Sequence, residues 1–459
     1  MIDKNFLKAI KRVHFIGIGG IGVSAIARMM LMEGKKVSGS DRDDSIIIKE
    51  LKKLGAKIYK GHNAKNVQCS ARPKPDLVVY TTAISPSNPE LKRAKKLKIP
   101  TLSYPETLGL ISKDKYTIAV SGAHGKTTTT AMIAEVLIDA KFDPNVIIGS
   151  LLKKQNSNFI AGKSKYFICE ACEYKKAFLN LNPKIIIITN IDNDHLDYYK
   201  NLKNIQRAFS QFVSRLRKND FLVYNGQDKN SRPVIKKAKC KIIDYFKIGK
   251  GFKLKIPGEH NIKNAQAALA VAKILKIKRE NALKSLENFS GTWRRFEYKG
   301  RLKKGLLIYD DYAHHPTEIK ATLRAGREFF GKHKIWCVFQ PHLYSRTKIL
   351  LGDFARSFRD ADEVIITDIY AAREKNDKRI KAKKLAEKIR QYKKNVLYLK
   401  KFADIEKFLK KNAKDGDVIM TMGAGDVFKI GENLLNSVRG RISLKSVSRY
   451  RRLASNGIK

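Results

Sequence analysis

Acidic residues are scarce in this chain of 459 residues. Aspartate and glutamate number 43 against 94 lysines and arginines, which gives a formal net charge of +51. The shortage excludes an acidic protein and leaves four interpretations: a nucleic-acid binder, a membrane-surface binder, an enzyme for polyanionic substrates, or a composition set by A+T-rich coding DNA. The lysines are spread along the chain rather than gathered in blocks, which favours the compositional interpretation for much of the excess.

Cysteine is also rare, and the five cysteines are too few for a disulfide framework in so long a chain. Cys169 and Cys172 form a single CxxC pair, which is one possible sign of metal or redox chemistry. No second pair completes a four-sulfur zinc site, so the sequence disfavours a zinc role. Five free thiols fit a reducing compartment, and we predict a cytoplasmic protein.

Long uninterrupted apolar runs are missing near the N-terminus. The run from Val13 to Ala27 follows basic residues and superficially resembles a signal peptide, but it contains four glycines and ends at Arg28. It is therefore shorter than the ~20 apolar residues that a membrane-spanning helix needs. A strand, a tight turn and a helix explain it better, and we predict no membrane segment and no export.

Short apolar segments alternate with amphipathic segments along most of the chain, which predicts parallel βαβ units in an α/β protein. The alternation restarts near residues 113 and 291, and a basic, serine-rich stretch from 439 to 459 has little apolar pattern and is predicted to be a mobile tail. The predicted strands are Val13–Ile18, Lys36–Ser40, Leu77–Thr81, Tyr116–Ser121, Tyr166–Cys169, Ile185–Thr189, Leu306–Tyr309, Ile335–Phe339, Glu363–Asp368, Val396–Leu399 and Asp417–Met420. The predicted helices are Ile21–Glu33, Ser45–Leu54, Thr127–Ala140 and Asn261–Leu275.

A glycine-containing loop between a predicted strand and a predicted helix carries the strongest local signal. Its residues are Gly122, Ala123, His124, Gly125, Lys126, Thr127 and Thr128. Glycine lets backbone N–H groups approach phosphate oxygens closely, and the helix N-terminus adds partial positive charge. Lys126 can reach the β- and γ-phosphates, and the Thr127 hydroxyl can bind Mg²⁺. The loop is shorter than the commonest phosphate-binding pattern, so an ordinary strand–helix turn is the alternative.

A second glycine-rich loop follows the first predicted strand. Gly17, Gly19, Gly20 and Gly22 precede Asp41, which ends the next predicted strand. The arrangement is typical of folds that place a diphosphate on a helix N-terminus. It does not specify nicotinamide, because any nucleotide diphosphate satisfies the same geometry. A dehydrogenase is therefore the weaker interpretation.

Acidic residues and a histidine follow two predicted strands close to the phosphate-binding loop. Glu170 comes after the first strand, and Asp192, Asp194, His195 and Asp197 come after the second. Carboxylates and an imidazole at such strand ends suit Mg²⁺ that bridges two phosphates. The alternative for each residue alone is a satisfied polar group in the core or on the surface.

His260 and Asn264 are four residues apart in a predicted helix and share one face, where they suit an adenine ring. The alternative is that this segment is a helix start capped by Asn261.

The last third of the chain holds arginines, aspartates and histidines in three groups: Arg294 and Arg295; Asp310, Asp311, Tyr312, His314 and His315; and His342, Tyr344 and Arg346. Arginine binds carboxylates and phosphates through two parallel hydrogen bonds. Paired histidines beside paired aspartates also suggest zinc, but no further ligand spacing supports that interpretation.

Together these motifs resemble the Mur ligase family, and within it the alanine-adding branch. The resemblance extends from about His14 to Asp426, and several motifs in the same order are more specific than either glycine loop. The matching segments are 14–22, 37–41, 121–129, 189–191, 194–197, 310–318, 339–342 and 423–426.

The resemblance implies three domains: a Rossmann-like UDP-binding domain over residues 1–112, a central P-loop ATPase-like domain over 113–290, and a C-terminal Rossmann-like α/β domain over 291–438. It implies that UDP, rather than NAD, binds at Gly19, Gly20, Gly22, Ser40 and Asp41. It also implies that ATP binds at Gly122, Ala123, His124, Gly125, Lys126, Thr127, Thr128, His260, Asn264, Arg295 and Asp310. Mg²⁺ is expected at Thr127, Glu170 and His195.

The activity that the resemblance implies is the ATP-dependent joining of L-alanine to the carboxylate of UDP-N-acetylmuramate through an acyl phosphate, in peptidoglycan synthesis. Lys126 is expected to act on the phosphates. Tyr312, His314 and Arg346 are expected to reach the muramoyl and amino-acid end as the C-terminal domain closes. The expected state is a cytoplasmic monomer or homodimer that serves cell-wall growth, cell shape and division.

Two departures from the family pattern keep alternatives open. Leu343 stands where the family typically has arginine, which is expected to help hold the amino acid's carboxylate; Arg346 or Arg373 is a candidate to compensate. The segment from Glu170 to Lys175 is less acidic than the family's. A salvage ligase for a preformed murein peptide, a ligase for another amino acid, a nucleic-acid-binding ATPase and a catalytically weakened binding protein are the alternatives.

Overall fold

The computed structural model describes residues 4–67, 74–249, 251–302, 305–372 and 374–439. The predicted tail beyond Arg439 and the candidate Arg373 lie outside these residues. The chain divides into two compact units at the bond between Trp293 and Arg294. The first unit contains two β-sheets and the second contains one. The predicted α/β architecture with three sheet domains is confirmed, while the predicted boundary residues stay a prediction.

The first sheet of unit one is parallel throughout, with strand order β3-β2-β1-β4-β5. Its strands are β1 (Arg12–Ile16), β2 (Lys36–Asp41), β3 (Lys57–Lys60), β4 (Leu77–Tyr80) and β5 (Thr101–Ser103). Its helices are α1 (Lys4–Ala9), α2 (Ile21–Met32), α3 (Ile46–Lys53), α4 (Pro89–Lys96) and α5 (Tyr104–Ser112). The apolar run near the N-terminus is thus a buried strand, a glycine turn and a helix, as its glycines predict.

The second sheet of unit one has the order β12-β11-β10-β6-β9-β7-β8 and is parallel except for the β7–β8 pair. Its strands are β6 (Tyr116–Ser121), β7 (Asn145–Leu152), β8 (Ser157–Ile160), β9 (Tyr166–Glu170), β10 (Ile185–Ile188), β11 (Phe221–Tyr224) and β12 (Lys241–Asp244). Its helices are α6 (Lys126–Asp139), α7 (Leu196–Tyr199), α8 (Leu202–Val213), α9 (Arg232–Ile235), α10 (Glu259–Ile274) and α11 (Arg279–Glu287). Strand β10 consists of four buried isoleucines, as expected for a central parallel strand covered on both faces.

The sheet of unit two has the order β13-β14-β18-β15-β16-β17, with β13 antiparallel to β14 and the other pairs parallel. Its strands are β13 (Glu297–Arg301), β14 (Leu307–Asp311), β15 (Ile335–Phe339), β16 (Glu363–Ile366), β17 (Val396–Tyr398) and β18 (Val418–Met422). Its helices are α12 (Pro316–Phe330), α13 (Tyr344–Ile349), α14 (Leu351–Ala355), α15 (Ala382–Arg390), α16 (Phe402–Asn412) and α17 (Phe428–Arg439). Short 3₁₀ helices in unit one are Ala64–Asn66, Tyr174–Asn180 and Tyr245–Lys247.

Helix α10 begins earlier than the sequence predicts. Gly258, with a φ of 101°, precedes the helix at the N-cap position, and Asn261 lies inside the first turn with its amide donating to the carbonyl of Pro257 at 2.6 Å. The alternative that Asn261 caps the helix is therefore wrong, because glycine supplies the backbone conformation that the chain needs there. Within the described residues, no helix combines the length and the apolar character that crossing a bilayer requires.

Candidate functional site

The loop between β6 and α6 needs glycine at both of its ends. Gly122 has a φ of 132°, and a Cβ there would clash with the Thr189 side chain and the Asn190 backbone. Gly125 has a φ of 81°, and a Cβ there would lie 2.6 Å from Asn264 Oδ1. Helix α6 starts at once with Lys126, so its first backbone N–H groups point into the loop. This geometry fits a phosphate cradle, and phosphate binding there stays a prediction.

Residues after β10 hold the middle of this loop in place. Thr189 Oγ1 donates to the carbonyl of His124 at 2.6 Å, and the Asn190 amide donates to the same carbonyl at 3.0 Å. The N–H of His124 donates to Asn190 Oδ1 at 3.0 Å, and its Nε2 lies 3.0 Å from Asp192 Oδ2. The sequence places these residues near the loop but does not reveal that they fix its conformation.

Lys126 lies inside the loop and has a carboxylate partner. Its ammonium donates to the carbonyl of Gly122, to the carbonyl of Ala123 at 3.1 Å and to Glu173 Oε1 at 3.0 Å. Burial on its own lowers the pKa of Lys126, but the Glu173 carboxylate outweighs it, so the pKa lies above its ordinary value. The lysine is therefore held charged and aimed at the cradle. Sequence reasoning missed the role of Glu173.

Glu173, Asp194 and His195 form a cluster beside this lysine. Their candidate ligand atoms all lie within 4.8 Å of one another, and His195 Nε2 is 3.7 Å from an oxygen of each carboxylate. Two buried atoms of the cluster, Glu173 Oε2 and His195 Nδ1, have no hydrogen-bond partner in the described part of the chain. His195 also adopts a left-handed φ of 55°, a conformation that concentrates at functional sites. Mg²⁺ prefers carboxylate oxygens, and Glu173 Oε2 is one that Lys126 leaves without a donor, so these residues fit Mg²⁺.

Glu170, the predicted metal ligand, has a different partner. Its Oε1 accepts from the N–H of Gly149 at 2.6 Å, and a Cβ on Gly149 would lie 2.8 Å from its other oxygen. The side chain thus packs against β7. Thr127, the other predicted oxygen ligand, lies buried in the first turn of α6. The roles of Glu170 and Thr127 at a metal stay predictions.

Asn264 reaches the phosphate-binding loop from α10. Its Oδ1 accepts from Thr129 Oγ1 at 3.1 Å and lies against Gly125. His260 lies one turn earlier on the same helix and is partly exposed. The predicted shared face therefore exists, and Asn264 borders the cradle; contact of either residue with adenine stays a prediction.

The loop between β1 and α2 forms the second cradle. Ser40 accepts from the N–H groups of Gly17 and Ile18 through its carbonyl at 2.8 and 3.1 Å. Asp41 Oδ2 accepts from the N–H of Gly19 at 2.8 Å, and a Cβ on Gly22 would lie 2.6 Å from the Tyr104 ring. Gly19, Gly20, Gly22 and Asp41 thus occur together as predicted. The Ser40 side chain, in contrast, is fully buried and serves the interior.

In unit two, the Arg294 side chain bonds to residues from two separate segments, one at Asp310 and one at Gly423 and Gly425. Its guanidinium donates to Asp310 Oδ2 at 2.7 Å and to the carbonyls of Gly423 and Gly425 at 2.6 and 2.9 Å. Asp310 is 1% exposed and also accepts from Thr421 Oγ1 at 2.6 Å. The side chain that we predicted to bind ATP is thus engaged in a buried ion pair, and any contact between Asp310 and ATP stays a prediction.

Tyr312, His314 and Arg346 also lie in unit two. The Tyr312 ring lies 5.3 Å from the Arg295 guanidinium and 5.5 Å from the His314 ring. His314 in turn lies 5.7 Å from the His342 ring, and Arg346 Nη1 is 3.1 Å from His342 Nδ1. Unit two therefore brings these predicted residues into one row.

Asp311, next to this row, is buried. Burial raises the pKa of Asp311 to about 6, although Arg295 and two backbone N–H donors oppose the rise.

Comparison with known proteins decides the family. The model described as "Mur ligase family, catalytic domain" matches residues 12–116, "Mur ligase middle domain" matches 120–251, and "Mur ligase, glutamate ligase domain" matches 294–425. The chain belongs to the Mur ligase family.

Within the Mur ligases, the chain is similar to relatives that carry the name of an alanine-adding ligase. This Mur ligase is 45% identical over 454 residues to the UDP-N-acetylmuramate–L-alanine ligase of Clostridium acetobutylicum, covering 93% of this chain and 98% of the relative. It is 44% identical over 459 residues to the Clostridium tetani enzyme of the same name, covering 94% and 99%. The structure of the UDP-N-acetylmuramate–alanine ligase of Thermotoga maritima matches with a TM-score of 0.78 at 29% identity, covering 94% of this chain and all of that one.

A murein peptide ligase of Psychrobacter arcticus shares the fold with a TM-score of 0.71 at 22% identity, covering 95% of this chain and 100% of that one. The family models and the relatives with 44–45% identity confirm the sequence resemblance to the Mur ligases.

Leu343, which stands where the family typically has arginine, has a defined place in the structure of this Mur ligase. Leu343 is 3% exposed, has a φ of 69°, and precedes α13; its N–H donates to the carbonyl of Tyr370 at 3.0 Å. A side chain with two methyl groups offers no donor to a carboxylate. Within the described residues of this row, Arg346 supplies a guanidinium three residues away.

Proposed function

We propose that this Mur ligase joins L-alanine to the carboxylate of UDP-N-acetylmuramate at the expense of ATP, in the synthesis of peptidoglycan precursors. The observation that carries the proposal is the pair of cradles in unit one: a glycine loop held by Asp41 and a phosphate loop that aims Lys126. The relatives with 44–45% identity over most of the chain carry the name of this activity. The product nucleotide is ADP, as in ligases that activate an acid by phosphorylation.

The chemistry requires activation because a carboxylate has no useful leaving group. The muramoyl carboxylate attacks the γ-phosphorus of ATP, ADP leaves, and an acyl phosphate forms. The neutral amine of alanine then attacks the carbonyl carbon, the amide forms, and inorganic phosphate leaves with its bonding electrons and takes up the proton that the amine loses. Lys126 and the backbone N–H groups of the loop stabilise the negative charge of the transferring phosphoryl group.

We assign the remaining residues as follows. Gly19, Gly20, Gly22 and Asp41 bind the diphosphate side of the sugar nucleotide, and Asn264 and His260 border the ATP base. Thr127, Glu173 and His195 would hold Mg²⁺, and Glu170, the carboxylate that the sequence predicts, is the alternative to Glu173. Mg²⁺ neutralises phosphate charge when bound. Tyr312, His314 and Arg346 of unit two serve the muramoyl and amino-acid end. We propose a cytoplasmic monomer or homodimer with boundaries near residues 112, 290 and 438.

Phosphate release tests the proposed function. The purified protein is incubated with ATP, Mg²⁺ and UDP-N-acetylmuramate, with L-alanine, glycine, L-serine or a murein tripeptide as acceptor. We expect phosphate release with L-alanine, and mass spectrometry should detect the alanyl amide. Turnover with the tripeptide alone would make this a salvage ligase. ATP hydrolysis stimulated by RNA or DNA, but not by the sugar nucleotide, would replace the ligase by a nucleic-acid-binding ATPase.

Replacing Leu343 with arginine tests the amino-acid end. A guanidinium there is expected to make one bidentate contact with the alanine carboxylate, so the KM for L-alanine should fall by about tenfold, the effect of one charge-assisted contact. The KM for ATP should stay unchanged. Leu343→Met is the matched control, because it adds no donor. An unchanged or raised KM for alanine in Leu343→Arg would show that another residue, such as Arg346, already binds this carboxylate.

Two glutamine variants identify the metal-binding carboxylate. Glu173→Gln should raise the Mg²⁺ concentration for half-maximal activity by roughly 10- to 100-fold, because it removes a charged oxygen from the cluster around His195. Glu170→Gln, which loses a bond to Gly149, should have a smaller effect. Titrations of activity against Mg²⁺ at fixed ATP measure both. A larger effect in Glu170→Gln would reverse the assignment.

A further inference from the structure

A strongly basic surface lies at one end of the second sheet of unit one. Residues 202–243 hold eleven lysines and arginines but only two acids, Asp220 and Asp228. At the ratio of the whole chain, 94 to 43, eleven such cations would come with about five acids. An A+T-rich coding sequence explains why lysine is abundant, but it does not explain why acids are scarce in this segment.

Both of these acids are used within the fold. Asp220 is 7% exposed; one of its oxygens accepts from the N–H of Arg217 at 2.7 Å, and the other lies 3.3 Å from Lys184 Nζ. Asp228 accepts from the N–H of Ile191 at 2.9 Å. Neither carboxylate is therefore directed to the outer surface, where it would neutralise the cations.

The topology gathers some of these cations at one edge of the sheet. Strands β11 and β12 are parallel neighbours, so the turns that lead into them from α8 and α9 lie at the same, amino end of the sheet. Among the residues that the structure describes, none of the exposed cations in these turns forms an ion pair with a carboxylate. We call six of them the basic rim: Arg215, Arg217, Lys218, Lys237, Lys239 and Lys241.

The basic rim lies at the opposite end of the sheet from the phosphate loop. Ligands of parallel α/β sheets bind outside the carboxyl ends of the strands. The phosphate loop follows the carboxyl end of β6, and the cluster of Glu173, Asp194 and His195 follows those of β9 and β10. A large partner can therefore bind the basic rim without covering the phosphate loop, and the rim has no place in the proposed reaction.

Charge complementarity requires a polyanionic partner, and the residues of the rim favour a lipid surface. Residues 214–220 and 236–242 contain no aromatic ring on which the bases of a single-stranded nucleic acid would stack. Instead, Ile242 of the edge strand β12 is 44% exposed next to Lys241. Cationic heads with an apolar side chain beside them match the headgroup region of an anionic bilayer.

We propose that the basic rim binds the surface of an anionic lipid bilayer, with its ammonium and guanidinium groups at the lipid phosphates and Ile242 at the boundary with the acyl chains. The inference adds a place of action to the proposed function and does not depend on it. The attraction is electrostatic and reversible, so it should weaken as salt shortens the Debye length.

Co-sedimentation with vesicles tests the proposal. The full-length protein is mixed with vesicles of phosphatidylcholine alone, or of phosphatidylcholine with about one-third phosphatidylglycerol, which is anionic. We expect binding to the anionic vesicles that is at least about tenfold tighter than to the neutral ones. Raising the salt from about 0.1 to about 1 M, which shortens the Debye length from about 10 to about 3 Å, should release the protein.

Two variants with the same net charge locate the binding surface. The rim variant replaces four rim cations: Arg215→Gln, Lys218→Gln, Lys237→Gln and Lys239→Gln. The control variant replaces four exposed lysines at and before α16 in unit two: Lys401→Gln, Lys407→Gln, Lys410→Gln and Lys411→Gln. Each cation at an anionic surface strengthens binding several-fold, so the rim variant should bind roughly 100-fold more weakly than the wild type. The control variant should stay within about threefold of the wild type.

The same variants exclude two other causes of a loss. Both keep residues 440–459, so the basic end of the chain cannot account for a difference between them. Thermal unfolding and phosphate release without vesicles should match the wild type in both, because the replaced rim side chains form no ion pair and lie away from the phosphate loop. If the rim variant fails to fold, Lys237→Gln/Lys239→Gln, which changes one turn only, should still lose about tenfold in binding.

Four results would each overturn the proposal: no binding of the wild type to anionic vesicles, equal binding to neutral and anionic vesicles, wild-type binding by the rim variant, or equal losses in both variants. The last would show that net charge, rather than the rim, attracts the lipid. Rim-dependent binding of a short RNA or DNA duplex, without binding to vesicles, would replace the lipid surface by a nucleic acid. All of these outcomes leave the proposed ligase intact, because phosphate release is measured without vesicles.

Discussion

Replacing Lys126 with alanine should reduce ligation at saturating substrates by roughly 10³-fold, the effect of removing a charge that stabilises a transferring phosphoryl group. The lysine is the cation held inside the loop, and its pKa above the ordinary value keeps it protonated throughout the neutral range. The loss should appear in kcat as well as in the KM for ATP, because phosphoryl charge is redistributed in the transition state. Phosphate release and ADP formation measure it.

The same substitution should also affect the folded state, because Glu173 is 4% exposed and bonded to Lys126. Alanine leaves this carboxylate buried without its cation, which costs about 3 kcal/mol of folding free energy. The double variant Lys126→Ala/Glu173→Gln should recover most of this stability but none of the activity. Lys126→Arg keeps the charge and serves as the control. Near-normal turnover in Lys126→Ala would show that the lysine has no role in the reaction.

The central strands were predictable because strands buried on both faces consist of continuous apolar residues. Ile185–Ile188 and Ile335–Phe339 are continuous apolar runs, and each is a central strand buried on both faces. The strands that escaped prediction are short or lie near sheet edges. Lys57–Lys60 and Lys241–Asp244 each have only two apolar or aromatic residues, set between two charged ones, and stay partly exposed, so pairing with a neighbour, rather than their own apolar content, makes them strands.

In the candidate site too, some features were predictable from the sequence and others were not. Both glycine loops were predictable because the backbone itself needs glycine there. Glu173 was not, because Glu170 ends β9, Glu173 follows it, and sequence spacing does not say which way each side chain points. The turn after Glu173 contains Lys175 and Lys176 in left-handed conformations, with φ of 51° and 60°, which no residue pattern signals. Ser40 and Asp310, predicted as ligand contacts, have buried side chains with protein partners, because polar residues in a motif also build the scaffold under it.

The second large effect concerns Arg294, and it is an effect on stability. Arg294→Met should lower the free energy of unfolding of unit two by about 3–5 kcal/mol, because it leaves the buried Asp310 carboxylate without its positively charged partner. The side chains of this pair are 4% and 1% exposed, so water cannot replace the lost bonds. The carbonyls of Gly423 and Gly425 lose their donor as well. Hydrogen exchange resolved to peptides of unit two, together with thermal unfolding of the full chain, measures the loss.

Two further variants separate the ion pair from general damage. Arg324→Ala removes an arginine that is 70% exposed and paired with Glu328, and solvent screening should leave its unfolding transition unshifted. Arg294→Met/Asp310→Asn removes the unpaired negative charge and should recover part of the stability, because an unpaired amide costs less to bury than an unpaired carboxylate. If Arg294→Met unfolds like the wild type, the one hydrogen bond from Thr421 is enough for the buried Asp310 carboxylate, and Arg294 is then a candidate for binding a ligand instead.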